Sequence, residues 1–214
     1  MAEPTPAPKA TPKPTPQKWE KEIAAFEAAD RETPPQKGGI VFVGSSSIRF
    51  WKTLAEDFPH HRVLNRGFGG SQVEDSVYFA DRIVIPYAPR MVVMYAGGND
   101  INFGKKPEEV FADFKAFVGK VRAALPETEI AYISIAPNPK RWAQVESVKA
   151  ANTLIADFCA RGPKLKFINV FPAMLGPDGL PKPDIYRDDK LHMVDKGYRI
   201  WVDIVGKELP AADQ

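Results

Sequence analysis

Apolar residues along this chain of 214 residues gather in five short runs: Ile40 to Val43, Val63 to Leu64, Met91 to Ala96, Ile130 to Ile135 and Phe167 to Val170. Runs this short suit β-strands. The first, third and fourth are almost continuously apolar, which predicts strands covered on both faces, as in a parallel sheet. Between the runs the spacing becomes helical. Trp19, Ile23 and Phe26 fall at i, i+4 and i+7. Val110, Phe114, Phe117, Val118 and Val121 mark a second helix face, Val148, Ala151, Ile155, Phe158 and Cys159 a third, and Trp201, Ile204 and Val205 a closing one. Strands that alternate with helices need right-handed crossovers, so the pattern predicts a three-layer α/β/α sandwich on a five-stranded parallel sheet.

The first sixteen residues depart from this pattern. They hold six prolines and no large apolar side chain beyond Met1, so they bury too little to offset the entropy of ordering. The expectation is a disordered, Pro-rich tether over residues 1 to 16 and one folded domain over 17 to 214. Such a tether suits the space between a leader or anchor and a domain. A removed leader would favour the periplasm or secretion; otherwise the cytoplasm is expected. No apolar run approaches the roughly 18 residues of a membrane span. With 44% hydrophobic and 26% charged residues, the composition is that of a globular protein rather than a fibre. The formal net charge of +2 is too balanced for a nucleic-acid-binding surface. A single cysteine, Cys159, excludes an intramolecular disulfide framework and any multi-cysteine metal site.

In open parallel sheets, ligands bind beyond the carboxyl ends of the strands. The segments there are Gly44 to Ser47, Asn65 to Ser71, Gly97 to Asp100 and Ala136 to Pro139. A serine behind a glycine, opening a helix after a strand, can present both its hydroxyl and its backbone N–H. Ser46 fits best; Ser45 would sit earlier on the turn, less suited to cap a helix. A nucleophilic serine needs a base, and the chain has three histidines, His60, His61 and His192. The first two precede the second strand, at its amino end, which leaves His192. Asp189, three residues before it, can sit beside the imidazole on a turn and set its tautomer. Acyl transfer also needs oxyanion donors. The backbone N–H groups of Ser46 and Gly70 and the side-chain amide of Asn99 can supply them, with glycine at position 70 sparing the approach from an obstructing side chain.

Gly44-Ser45-Ser46, Gly70 in a glycine-rich second block, Gly97-Gly98-Asn99-Asp100 and Asp189-x-x-His192 occur in that order over residues 38 to 207. Together they resemble the SGNH (GDSL-type) hydrolase and esterase superfamily, within it the branch of carbohydrate esterases and platelet-activating-factor acetylhydrolase-like proteins. The resemblance implies a flavodoxin-like fold, no metal or organic cofactor, and ester hydrolysis through an acyl-enzyme. It casts Ser46 as nucleophile, His192 as base, Asp189 as its orienting partner, and Ser46, Gly70 and Asn99 as the oxyanion hole. The family usually has Asp where this chain has Ser45, and often an acidic residue where it has Ser71.

The expected substrate is a small-molecule or carbohydrate ester with a short acyl group, for instance acetyl. A lysophospholipase or thioesterase of the same fold and a non-catalytic binding module are the alternatives. A metal-dependent hydrolase is disfavoured, because His, Cys and carboxylates do not cluster at ligand spacing. Asp100 is expected to serve structure. Lys105-Lys106 and Lys140-Arg141 are expected on solvated surface. Phe68, Phe103, Trp142, Tyr186 and Met193 are candidates either to line a pocket or to pack the core.

Overall fold

Five parallel strands, β1 (Ile40–Gly44), β2 (Val63–Gly67), β3 (Met91–Tyr95), β4 (Glu129–Ile133) and β5 (Leu165–Ile168), pair in the order β2-β1-β3-β4-β5. This computed structural model describes residues 16 to 212. The expected tether therefore lies outside the described residues, apart from Pro16, which opens a 3-10 turn. Eight α-helices accompany the sheet among the described residues: α1 (Glu20–Glu32), α2 (Ser46–Arg49), α3 (Leu54–Asp57), α4 (Val73–Ile83), α5 (Gly98–Asn102), α6 (Pro107–Ala124), α7 (Val145–Arg161) and α8 (Asp195–Val205).

The three runs that read as continuously apolar, β1, β3 and β4, are the three interior strands. Their side chains alternate between two cores, as the pleat requires. Val41, Val43, Val92 and Met94 join α1, α4, α6 and α7, whereas Ile40, Phe42, Met91 and Val93 join α2, α3 and α8. All five apolar positions expected on α6 are buried.

The edge strands depart from the reading by apolarity. β2 runs on through Asn65, Arg66 and Gly67, because tertiary partners satisfy its polar side chains. Asn65 donates to the carbonyls of Ile48 and Trp51 and accepts from the Gly67 N–H. Arg66 is buried against Asp30 and the Tyr87 hydroxyl. β5 begins at Leu165, two residues before the expected start, with Leu165 paired to Ile130. Helix α4 escaped the periodicity altogether. Its buried face includes Asp75 and Ser76 beside Val73, Phe79, Ala80 and Ile83, so the apolar stripe is interrupted.

From β1 the chain passes outward to β2 and then returns to β3 on the other side of β1. This reversal opens a crevice at the carboxyl ends of β1 and β3, the usual ligand position in such sheets. Trp201 on α8 closes the core beneath it, fully buried with its ring 4.7 Å from Tyr95. Trp201→Ala would cost about 3 to 5 kcal/mol by the usual scale for buried aromatics.

Candidate active site

Gly44 ends β1 with φ +140°, and a Cβ there would lie 1.9 Å from the Tyr95 carbonyl oxygen. Only glycine lets the chain turn this close to β3. Ser45 then takes the N-cap position of α2, with extended φ and ψ, and Ser46 is the first helical residue. Ser45 thus comes earlier on the turn, as expected, but it is Ser45 that holds the cap position, although its side chain makes no capping bond. Ser45 is buried, Ser46 and Ser47 are half-buried, and all three line the cleft. As the first residue of a helix, Ser46 has no intrahelical acceptor for its N–H.

His192 reaches this serine from the far end of the chain, with Nε2 3.0 Å from Ser46 Oγ. Its Nδ1 lies 2.6 Å from Asp189 Oδ2. An ionised carboxylate only accepts, so Nδ1 carries the hydrogen and the Nε2 lone pair faces the serine hydroxyl. The i, i+3 spacing works through an Asx turn: Asp189 Oδ1 also accepts the backbone N–H groups of Leu191 and His192, each at 2.9 Å. A bridge between Tyr186 and Met193 pins the base of this turn. Burial pushes the Asp189 carboxyl upward, but the N–H bonds from the His192 backbone, the imidazole and Leu191 outweigh it and hold the group well below the usual carboxylate range. The other candidate histidines stay away; His61 sits beside Arg90, before β3.

Asn99 lies in the first turn of α5 and lines the same cleft as Ser46 and His192. Its Nδ2 donates to the Ser71 carbonyl at 2.9 Å, and its Oδ1 accepts from Arg141 at 3.1 Å. Gly70 stands in the neighbouring loop with φ +75° but is not among the residues lining the cleft. A Cβ at Gly70 would meet no atom within 4 Å. Its positive φ is a backbone conformation that glycine adopts at no steric cost. Ser71 donates to the Phe68 carbonyl at 2.9 Å.

Four neighbours of this array carry no signal in the sequence. Phe50 packs edge-on against the His192 ring at 4.9 Å, and the Arg187 guanidinium lies over the Phe50 ring. Tyr95 and Trp201 help to line the cleft. Among the aromatic candidates, Phe68 is core, packed against Trp19 and Phe79, while Phe103 is exposed. Tyr186 and Met193 line the cleft, and Trp142 lines the groove beside it.

Two cations expected on solvated surface are not there. Lys105 is buried among Glu74, Asp113 and Asp100, at 2.9, 2.8 and 3.4 Å. Burial alone would pull its ammonium down, but the three carboxylates hold it above its ordinary range. Asp100 is wholly buried and accepts the Val73 N–H on both oxygens, tying the start of α4 to α5. Arg141 is half-buried in the cleft wall, and burial lowers its pKa.

A parallel-sheet sandwich with serine, histidine and aspartate meeting at the switch point defines a class of hydrolase architecture. Residues 36 to 200 match the sequence model of the GDSL-like lipase/acylhydrolase family, and the chain belongs to that family. Solved structures agree on the fold. A candidate platelet activating factor from Streptococcus pneumoniae superposes with a TM-score of 0.79 at 22% identity, covering 91% of this chain and 94% of that one. A GDSL-like lipase from Bacteroides thetaiotaomicron gives 0.69 at 20% identity, covering 91% and 96%. A carbohydrate esterase of family 3 from Talaromyces cellulolyticus gives 0.64 at 18%, covering 80% and 95%. No curated protein matches the chain.

Proposed function

We propose that this hydrolase is a serine esterase that cleaves carboxylic esters of short acyl groups, such as acetyl groups on a carbohydrate, with residues 17 to 214 as its catalytic unit. The observation that carries this reading is the chain Ser46 Oγ, His192 Nε2, His192 Nδ1, Asp189 Oδ2, with links of 3.0 and 2.6 Å. In the proposed reaction Ser46 Oγ attacks the ester carbonyl carbon while its proton passes to His192 Nε2. The oxyanion accepts hydrogen bonds from the N–H groups of Ser46 and Gly70 and from Asn99 Nδ2. Collapse expels the alcohol, which takes the proton from His192. Water then adds to the acyl-enzyme, losing a proton to the same nitrogen; collapse breaks the bond between the acyl carbon and Ser46 Oγ, Oγ takes the proton back from His192, and the carboxylic acid leaves. Throughout, ionised Asp189 keeps the imidazole in one tautomer and stabilises the imidazolium.

The size of the cleft supports a short acyl group. Its cavity is small, about 30 Å³. The groove beside it has about 600 Å³, and Tyr186 belongs to both. Its lining of Trp142, Leu180 and Arg187 offers an aromatic face and polar edges to an alcohol the size of a sugar.

The test is a panel of p-nitrophenyl esters from acetate to decanoate, run beside acetylated xylo-oligosaccharides, with wild type and Ser46→Ala. Turnover should peak at acetate, and Ser46→Ala should lose at least about a thousandfold in kcat. A maximum at long chains would favour a lipid-directed acylhydrolase, and undiminished activity in Ser46→Ala would move the nucleophile to another residue.

A further inference from the structure

We propose that Arg141 is a positioning residue for Asn99: its guanidinium holds the side-chain oxygen of the amide so that an N–H of the opposite end is left to face the reacting oxyanion. This rests on the assignment of Asn99 to the oxyanion hole. One nitrogen, Arg141 Nη1, donates both to the Gly98 carbonyl and to Asn99 Oδ1, each at 3.1 Å. On its other side the Asn99 amide meets the Ser71 carbonyl at 2.9 Å. Guanidinium nitrogens only donate and carbonyl oxygens only accept. The atom facing Arg141 must therefore be the amide oxygen, and the atom facing Ser71 the amide nitrogen. A flipped amide would set donor against donor and acceptor against acceptor. Nδ2 has two hydrogens, and the Ser71 carbonyl takes one of them.

The position of Arg141 is itself built. Its backbone N–H is capped by the Asn138 side chain at 2.9 Å, and its own φ and ψ, −119° and 23°, break the 3-10 stretch from Pro139 to Gln144. Among the described residues no carboxylate pairs with Arg141. Its positive charge is thus not neutralised by a nearby anion, and in a half-buried site it polarises the amide and strengthens the opposite N–H as a donor. A lysine carries its charge on an ammonium one bond nearer the backbone, so it would not set a donor at the point that Nη1 occupies.

The experiment is a double-mutant cycle with p-nitrophenyl acetate, using Arg141→Met, Arg141→Lys, Asn99→Ala and the double variant Arg141→Met/Asn99→Ala. Arg141→Met should lower kcat about tenfold with KM nearly unchanged, since a donor aimed at the oxyanion acts in the transition state. In the Asn99→Ala background the same change should cost less than about twofold, because there is no amide left to position. Arg141→Lys should fall between wild type and Arg141→Met. Equal losses in both backgrounds, or a loss confined to KM, would overturn the proposal and put Arg141 directly on the substrate or in the fold. A second readout does not depend on turnover. The Asn99 side-chain NH2 pair, assigned in 1H–15N spectra by its absence in Asn99→Ala, should shift in Arg141→Met. An unmoved pair would overturn the clamp even in a protein that hydrolysed the ester. A shifted pair in a protein inert toward esters would sustain the clamp and sink the esterase reading.

Discussion

Asp189 and Asp100 both accept backbone N–H bonds, yet their surroundings drive them in opposite directions. Asp189 lies on an exposed turn, where two backbone N–H groups and an imidazole converge on it and keep it ionised. Asp100 is wholly buried, and burial pushes its carboxyl up to about 6 against the pull of Lys105 and the Val73 N–H. Its neighbour Asp75, which caps α4 by accepting the Gln72 N–H at 2.7 Å, is likewise pushed up by burial to about 6. The same side chain thus holds a base in place at the rim and fastens two helices in the interior. Which task it takes follows from how much water it keeps, since donors lower a carboxyl and desolvation raises it.

The largest effect that can break this contrast is at the rim. Asp189→Asn preserves the shape but can bond the wrong tautomer, so kcat should fall on the order of ten-thousandfold, with the melting temperature almost unmoved. Full activity in that variant would deprive the rim carboxylate of its task. In the interior the balance should invert. Asp100→Ala leaves the buried Val73 N–H without its acceptor, while Lys105 keeps Glu74 and Asp113, and should cost about 1 to 3 kcal/mol of stability, read from chemical denaturation, while the folded fraction keeps most of its kcat. A catalytic loss without a stability loss would place Asp100 with the reacting groups instead. Between the two regions, Asn99→Ala should lower kcat about a hundredfold with little change in KM.

The smallest effect sharpens the contrast through pH. A carboxyl whose folded pKa is raised binds protons more tightly when folded, so its contribution is present below the ordinary carboxylate value and lost as pH rises through about 6. Asp75→Asn keeps the acceptor and removes the titration. The melting temperature of Asp75→Asn relative to wild type should therefore climb between about pH 4 and pH 7. A flat difference would mean that Asp75 does not carry its proton into the folded protein at these pH values.

Much of this molecule was legible in its residues. Continuous apolarity marked β1, β3 and β4 as interior strands, and periodicity located α6, α7 and α8, because burial on a pleat or a helix imposes its own spacing. Glycine before Ser46 and the Asp189-x-x-His192 spacing announced local turns whose geometry depends on neighbours in sequence. The extension of β2 through Asn65 and Arg66 was not legible, since the partners of those side chains, Asp30, Ile48, Trp51 and Tyr87, lie elsewhere in the chain. Lys105 and Arg141 each read as a surface cation, and each proved to be held by groups the sequence scatters: Glu74, Asp100 and Asp113 for one, Gly98 and Asn99 for the other. A residue's own chemistry and its near neighbours determine what turn or helix it can join. Whether a charge ends in water or in the protein depends on which distant groups the sheet order brings within about 3 Å, the range over which a hydrogen bond operates, and only the folded chain decides that.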